Sequence, residues 1–252
     1  IKKAARKGIK DELNKRVEKI ISNKEISLDE ESKIIWKNNP IAKLKKGQNY
    51  LSPEIEIIHD DSLENEAKIK LEIFLKSWLK DYLNSLLGDL LNLTKAKIQN
   101  QYLRALIFQL YEKNGVIKRE EIDQIVKLIS ADERKKLWSM GIKIGRYHIY
   151  LPKMFKPKAV TFRISLWRLF YNFNNDFQIP KFGLNFIKNS NFNKKFLLLC
   201  GFEHFDNYFV RIDMLEKLFI KILNKTNNRK FQIDAEMMNL LGCSKEDFYK
   251  LM

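Results

Sequence analysis

The chain has 252 residues and a formal charge of +16, from 47 Lys and Arg against 31 Asp and Glu. A hydrophobic fraction of 45% with 12% aromatic residues excludes a disordered chain and suffices for one large domain or two small ones. The greasiest stretch, Leu71 to Leu93, is broken by Lys76, Lys80, Asp81 and Asp89, against a membrane-spanning helix, and the two cysteines, Cys200 and Cys243, are too few for a disulfide scaffold and suit a reducing cytoplasm.

A basic amphipathic helix is expected from Ile1 to about Asn23, with Ile9, Leu13, Val17 and Ile20 at steps of three and four. No signal core or initiator Met is present at Ile1, so the chain is expected to be a piece of something longer. Ile26 to Trp36 reads as a short hairpin around Asp29-Glu30-Glu31-Ser32, Pro40 and Gly47 punctuate the next stretch, and Pro53 to Ile58 is a candidate edge strand. From Ser62 to Thr94 a long helical stripe runs through Leu71, Leu75, Trp78, Leu79, Tyr82, Leu86 and Leu90. A second helix, about Lys95 to Asn114, stops at Gly115, and the two are expected to pack as an antiparallel pair. Glu120 to Ile129 makes a third helix. Ser130 and Glu133 form a capping box that starts a fourth, ending at Gly141.

Between Ile142 and Leu151 the pattern alternates like a hairpin turning at Gly145, and Lys158 to Asn172 returns to helix. Asn172 to Asn193 reads as irregular. The remainder reads as a helix to Cys200, a turn at Gly201, a strand from Tyr208 to Arg211, a helix from Asp213 to Asn224, and two short helices around Gly242 with the length of a helix-turn-helix. The expected class is mainly α with a few short strands (α+β), a helical bundle plus small hairpin and winged-helix-like elements. Four segments are expected: 1–60, 61–140, 141–175 and 176–252.

Charge is unevenly spread. From Arg134 to Phe202 there are fourteen basic residues and one acid, Asp176, so this stretch carries +13 of the +16. Aromatic residues interleave with the cations, among them Trp138, Tyr147, Tyr150, Phe155, Phe162, Trp167, Phe170, Tyr171 and Phe173. Cations neutralise phosphates while rings stack on unpaired bases, so the mix suits single-stranded RNA or DNA. The competing reading is aromatic core with solvated lysines outside. In the helix from Lys158, one face carries Lys158, Thr161, Ser165 and Arg168, and Phe162, Leu166 and Phe170 lie opposite. Arg163 falls in the apolar arc, either stacked on Trp167 or presented to a phosphate.

The segment from Gly141 to Pro157, Gly-Ile-Lys-Ile-Gly-Arg-Tyr-His-Ile-Tyr-Leu-Pro-Lys-Met-Phe-Lys-Pro, closely resembles a signature of the C-terminal region of alphaproteobacterial superfamily 2 RNA helicases related to the mitochondrial RNA-degradosome helicase. Arg104 to Leu110 before Gly115, Val210 to Leu218, and Leu240 to Ser244 followed by Glu246-Asp247-Phe248 are similar to further stretches of that family, in the same order. Lys143 stands where the family has Arg, and Ala105 where Gly is usual. The resemblance implies a region of an ATP-driven motor whose ATPase lobes lie upstream. ATP and Mg would serve the full-length parent, with no cofactor in this stretch. Single-stranded or partly duplex RNA, with DNA as the alternative, and the upstream lobes would be the partners, in the cytoplasm and without a membrane.

No phosphate-cradling Gly-x-x-x-x-Gly-Lys-Ser/Thr loop occurs, and Asp132-Glu133-Arg134-Lys135, although similar to a helicase acidic box, belongs to the capping box. No catalytic residue and no metal ligand set is expected: Cys200, His204 and Cys243 lack a second close pair, and His59-Asp60-Asp61 reads as helix-start chemistry. The expected nucleic-acid strip is Lys143, Arg146, Tyr147, His148, Lys153, Lys156 and Lys158, with Arg163 and Arg168 beside it. The rival expectation is a scaffold that docks helicase lobes or a nuclease through an exposed apolar patch on Leu71 to Leu91.

Overall fold

The computed structural model describes residues 2–23, 25–58, 63–173, 177–188, 193–226 and 232–252. The chain divides into two units, Ile1–Ser85 with Phe162–Asn174, and Leu86–Thr161 with Asn175–Met252. Two of the boundaries, after Ser85 and after Thr161, fall inside continuous helices, where the sequence gives no sign of a division.

In the first unit, α1 (Lys2–Asn23) precedes an antiparallel sheet of β1 (Ile26–Leu28), β2 (Lys33–Trp36), β3 (Asn39–Lys45) and β4 (Glu54–Ile57), in that order across the sheet. The Asp29 carboxylate accepts the Lys33 N–H at 2.7 Å and so closes the expected hairpin. Strand β3 occupies a stretch where Pro40 argues for a break in the pattern. It forms because Lys37 and Asn38 both take positive φ, 47° and 63°, as a tight two-residue hairpin requires, and the pairing shifts at Ile34/Ile35 opposite the proline. Strand β4 lies at the edge of the sheet, as expected.

Helix α2 (Asn65–Leu91) buries Leu71, Leu75, Leu79, Leu87 and Leu90 and leaves Ile69 and Ile73 exposed. Its first part, to Ser85, belongs to the first unit and α3 (Gln101–Glu112) to the second, so the expected helix pair is divided between units. Helix α3 begins later than expected because the Asn100 side chain accepts from the N–H groups of Tyr102 and Leu103 and caps it there.

The second unit continues with β5 (Val116–Lys118), α4 (Asp123–Leu128), α5 (Ala131–Ser139), β6 (Lys143–Ile144), β7 (His148–Tyr150) and the start of α6 (Pro157–Tyr171). Ser130 caps α5 through the Glu133 N–H while the Glu133 carboxylate accepts the Ser130 N–H at 2.8 Å, the reciprocal box expected from sequence. Next come β8 (Phe186–Lys188), α7 (Lys194–Leu199), β9 (Phe202–Phe205), β10 (Tyr208–Arg211), α8 (Ile212–Lys225), α9 (Ala235–Leu241) and α10 (Lys245–Leu251). Two three-stranded antiparallel sheets result, ordered β5-β7-β6 and β8-β10-β9.

Val116, Tyr150 and Ile212 form one buried cluster, and Val210, Leu215, Leu218, Met237, Leu241 and Phe248 form another. Each such side chain stabilises by about 1.5–3 kcal/mol on burial. Gly201 has φ +89°, and a Cβ there would lie 2.6 Å from the Phe155 ring, so this turn admits only glycine. The fold is therefore mainly α with short antiparallel strands. Among the described residues no helix is long and apolar enough to cross a membrane.

Candidate nucleic-acid interface

The 141–157 segment is built around a carboxylate from far along the chain. Strands β6 and β7 are joined by Gly145, Arg146 and Tyr147, and Gly145 N–H donates to the His148 carbonyl at 2.8 Å. The backbone N–H groups of Arg146, Tyr147 and His148 all donate to Glu216 of α8, at 2.6, 2.9 and 2.8 Å. Three successive amides aimed at one carboxylate form an anion nest. A Cβ on Gly145 would stand 2.4 Å from that carboxyl group, so the glycine leaves room for it. Arg119 fastens the same turn through a bond to the Gly145 carbonyl at 3.0 Å.

His148 is 2% exposed and lies between two acids, with Nε2 2.8 Å from Glu203 and Nδ1 3.4 Å from Glu216. Burial alone would pull its imidazole down, but the two carboxylates outweigh burial and raise it above the ordinary histidine value. Burial would push the Glu203 carboxyl up. Hydrogen bonds from His148 and from Lys118, which is 2.9 Å away, hold it instead at about 2. For Glu216, burial is outweighed by His148 and the three amides, and the carboxyl stays below its usual range. His148 is thus a buried charge partner, and its place in the expected contact strip is corrected: its ring is held between Glu203 and Glu216 and is not exposed beside Lys143 and Arg146.

The turn leaves its side chains outside while its backbone is pinned inside. Lys143 and Arg146 are exposed, Arg146 lies 5.7 Å over the Phe219 ring, and Tyr147 meets the same ring edge-on at 4.9 Å. Together with Lys217, Arg119, Arg134 and Lys135, Lys143 and Arg146 border an open groove of about 750 Å³, with Trp138, Phe219, Ile220 and Leu223 as apolar lining. The acids of this groove are already engaged: Glu216 by the turn, and Asp213 by Arg211 at 2.7 Å. Among the described residues, no carboxylate lies within 4 Å of the side-chain nitrogens of Lys143, Arg146 or Lys217, so their field is free to act on an anionic ligand.

No family model, curated protein or solved structure matches this chain.

The remaining expected positions separate. Lys156 and Lys158 are exposed at the start of α6, while Lys153 is exposed but paired with Asp89 at 2.9 Å. Arg163 is 1% exposed, which rules out the phosphate alternative; it is one of the largest buried side chains in the protein. Arg168 is half-buried, as are Thr161 and Ser165, so the polar face of α6 is open to solvent only near Lys158. Arg163 and Arg168 belong to the first unit and the other seven to the second. His59-Asp60-Asp61 lies outside the described residues. Cys200 is buried and Cys243 half-buried, and no metal-holding group of three ligating side chains occurs among the described residues.

Trp138 and Lys217 are among the groove residues that lie outside the expected strip. Trp138, expected by default in the core, is 72% exposed, and Lys217 lies outside the acid-poor block. A signal for the second exists in the sequence: Ile220 and Leu223 follow Lys217 at steps of three, on the side of α8 opposite buried Leu215 and Leu218, and two apolar residues on a polar face mark a contact surface.

Proposed function

We propose that this chain is a nucleic-acid-guiding accessory region of an ATP-dependent RNA helicase, binding single-stranded RNA without catalysing a reaction itself. The supporting observation is the groove of about 750 Å³ in which the side-chain nitrogens of Lys143, Arg146 and Lys217 have no carboxylate within 4 Å and stand beside an exposed indole. Cations of this kind bind phosphate oxygens and displace counterions, and an indole face takes an unpaired base. The parentage rests on the resemblance of Gly141 to Pro157 and its companion stretches. In this reading ATP and Mg belong to upstream lobes, and partly duplex RNA or single-stranded DNA are secondary ligands.

Contacts to phosphate predominate over base edges, so affinity is salt-dependent and weakly sequence-specific. Fluorescence anisotropy of the whole chain with single-stranded RNA tests the reading. Replacing Lys143, Arg146 and Lys217 together by Ala is expected to lower affinity about tenfold or more at low salt and to reduce the slope of log K against log salt by about 2. Unchanged affinity in that variant, or no binding by the wild type at low salt, overturns it.

A further inference from the structure

We propose that the single strand does not end in this groove but crosses Trp138 into a second basic groove on the other side of α5, with the indole serving as the stacking ridge between two subsites. The inference rests on the reading above and extends it to a second site and to a residue outside the expected strip.

Trp138 lines both cavities, the one of about 750 Å³ already described and a second of about 560 Å³. The second is bordered by Lys95, Lys97, Lys136 and Lys153, over buried Leu93 and Ile98. Its one acid, Asp89, is already occupied by Lys153 at 2.9 Å. Among the described residues, Lys97 and Lys136 have no carboxylate within 4 Å. A path of cations thus approaches the indole from both sides, within a single unit of the fold.

Trp138 is also firmly placed. Its neighbour Leu137 is fully buried, the capping box holds the start of α5, and Gly141 ends the helix at φ +82°. A fixed aromatic platform keeps little conformational entropy to lose on binding. No core role accounts for a tryptophan left 72% open to solvent, whereas stacking on a base does.

The arrangement selects a flexible ligand. A duplex is a stiff rod with its bases already stacked, and it cannot follow two concavities separated by a protruding ring. A single strand bends at each phosphate and offers an unstacked base to the ridge.

The test uses the whole chain and a labelled oligouridylate of about twelve nucleotides, within the span of known single-strand sites. Trp138→Ala is expected to weaken binding by about tenfold, and Trp138→Phe to keep affinity within about threefold while abolishing most of the ligand-induced quenching of tryptophan fluorescence. Replacing Lys95, Lys97 and Lys136 together by Ala is expected to lower the salt slope by about 2, and a hairpin duplex of equal length to bind with no response to Trp138→Ala. If the oligonucleotide binds and responds to Lys143, Arg146 and Lys217 but ignores Trp138 and the second lysine set, the two-groove path is wrong and the first-groove reading survives. Absence of any oligonucleotide binding removes both. Quenching of Trp138 by a polyglutamate peptide but not by the oligonucleotide also overturns the proposal, because it makes the ridge a protein contact.

Discussion

Glu216 shows how one side chain decides what a recognisable segment is for. Arg146, Tyr147 and His148 stand in the stretch whose pattern points to nucleic-acid contact, yet their amides are spent on a carboxylate about seventy residues away in sequence, and only the first two side chains remain outside. Nothing in the local pattern distinguishes a histidine that faces a ligand from one sandwiched between Glu203 and Glu216, since both sit at alternating positions of a strand. The buried cluster has a pH signature. His148, with its folded value raised, stabilises fully below the unfolded value of 6.5, and that contribution is lost as pH climbs through the folded value. Glu203 and Glu216, both lowered, stabilise fully above 4.5 and lose that contribution as pH falls towards their folded values. Thermal unfolding followed across this range is therefore expected to show its highest midpoint between 4.5 and 6.5 and a decline on the alkaline side. His148→Gln should cost about 3 kcal/mol at the plateau by removing the cation that Glu203 and Glu216 share, and should flatten the alkaline decline. A variant that declines just as the wild type does would remove His148 from the cluster's electrostatics.

At the level of elements, helix caps are the most legible features. The Ser130–Glu133 box and the Ser244–Asp247 pair are both made as expected, the latter with Asp247 N–H donating to Ser244 Oγ at 3.1 Å, because a cap involves residues three apart and needs no distant partner. Short strands are the least legible. β3, β5, β8 and β9 carry no clear sequence signal, since three to seven residues show little periodicity and owe their pairing to partners elsewhere, as Lys118 does to His148. The cap of α5 also supports Trp138. Ser130→Ala is expected to destabilise by about 1 kcal/mol and to speed amide exchange along Ala131–Ser139, and slowed or unchanged exchange there would show that tertiary contacts, not the cap, hold the helix.

Across the whole molecule, the first unit takes part of its core from far downstream. Phe162, Ile164 and Leu166 are buried and belong with Ile1–Ser85, where Phe162 meets Tyr82 edge-on at 5.0 Å. A fragment of residues 1–85 lacks these side chains, each contributing about 1.5–3 kcal/mol on burial. That fragment is expected to show poor chemical-shift dispersion and no cooperative melt. A well-dispersed spectrum from it would mean that the downstream segment is dispensable. The four resembling stretches also converge: Leu110 accepts the Gly115 N–H and Gly115 the Leu151 N–H at 2.9 Å, Ile212 shares a buried cluster with Tyr150, Glu216 caps the 145–148 turn, and Leu241 packs with Val210, Leu215 and Leu218. Much of what reads as a signature is therefore the frame of the second unit, with the groove side chains mounted on it.

From composition and periodicity alone came the mainly helical class, the positions of most helices and their caps, and the gathering of cations in mid-chain, because these depend on neighbours within a turn or two. Which of those cations face solvent was settled only by the fold. Lys153 is matched by Asp89, Arg163 is enclosed, His148 is clamped between acids, and Lys143, Arg146 and Lys217 are left open beside Trp138. Charge is a property of the residue, but its freedom to act on a ligand depends on which distant carboxylate the folded chain brings within reach.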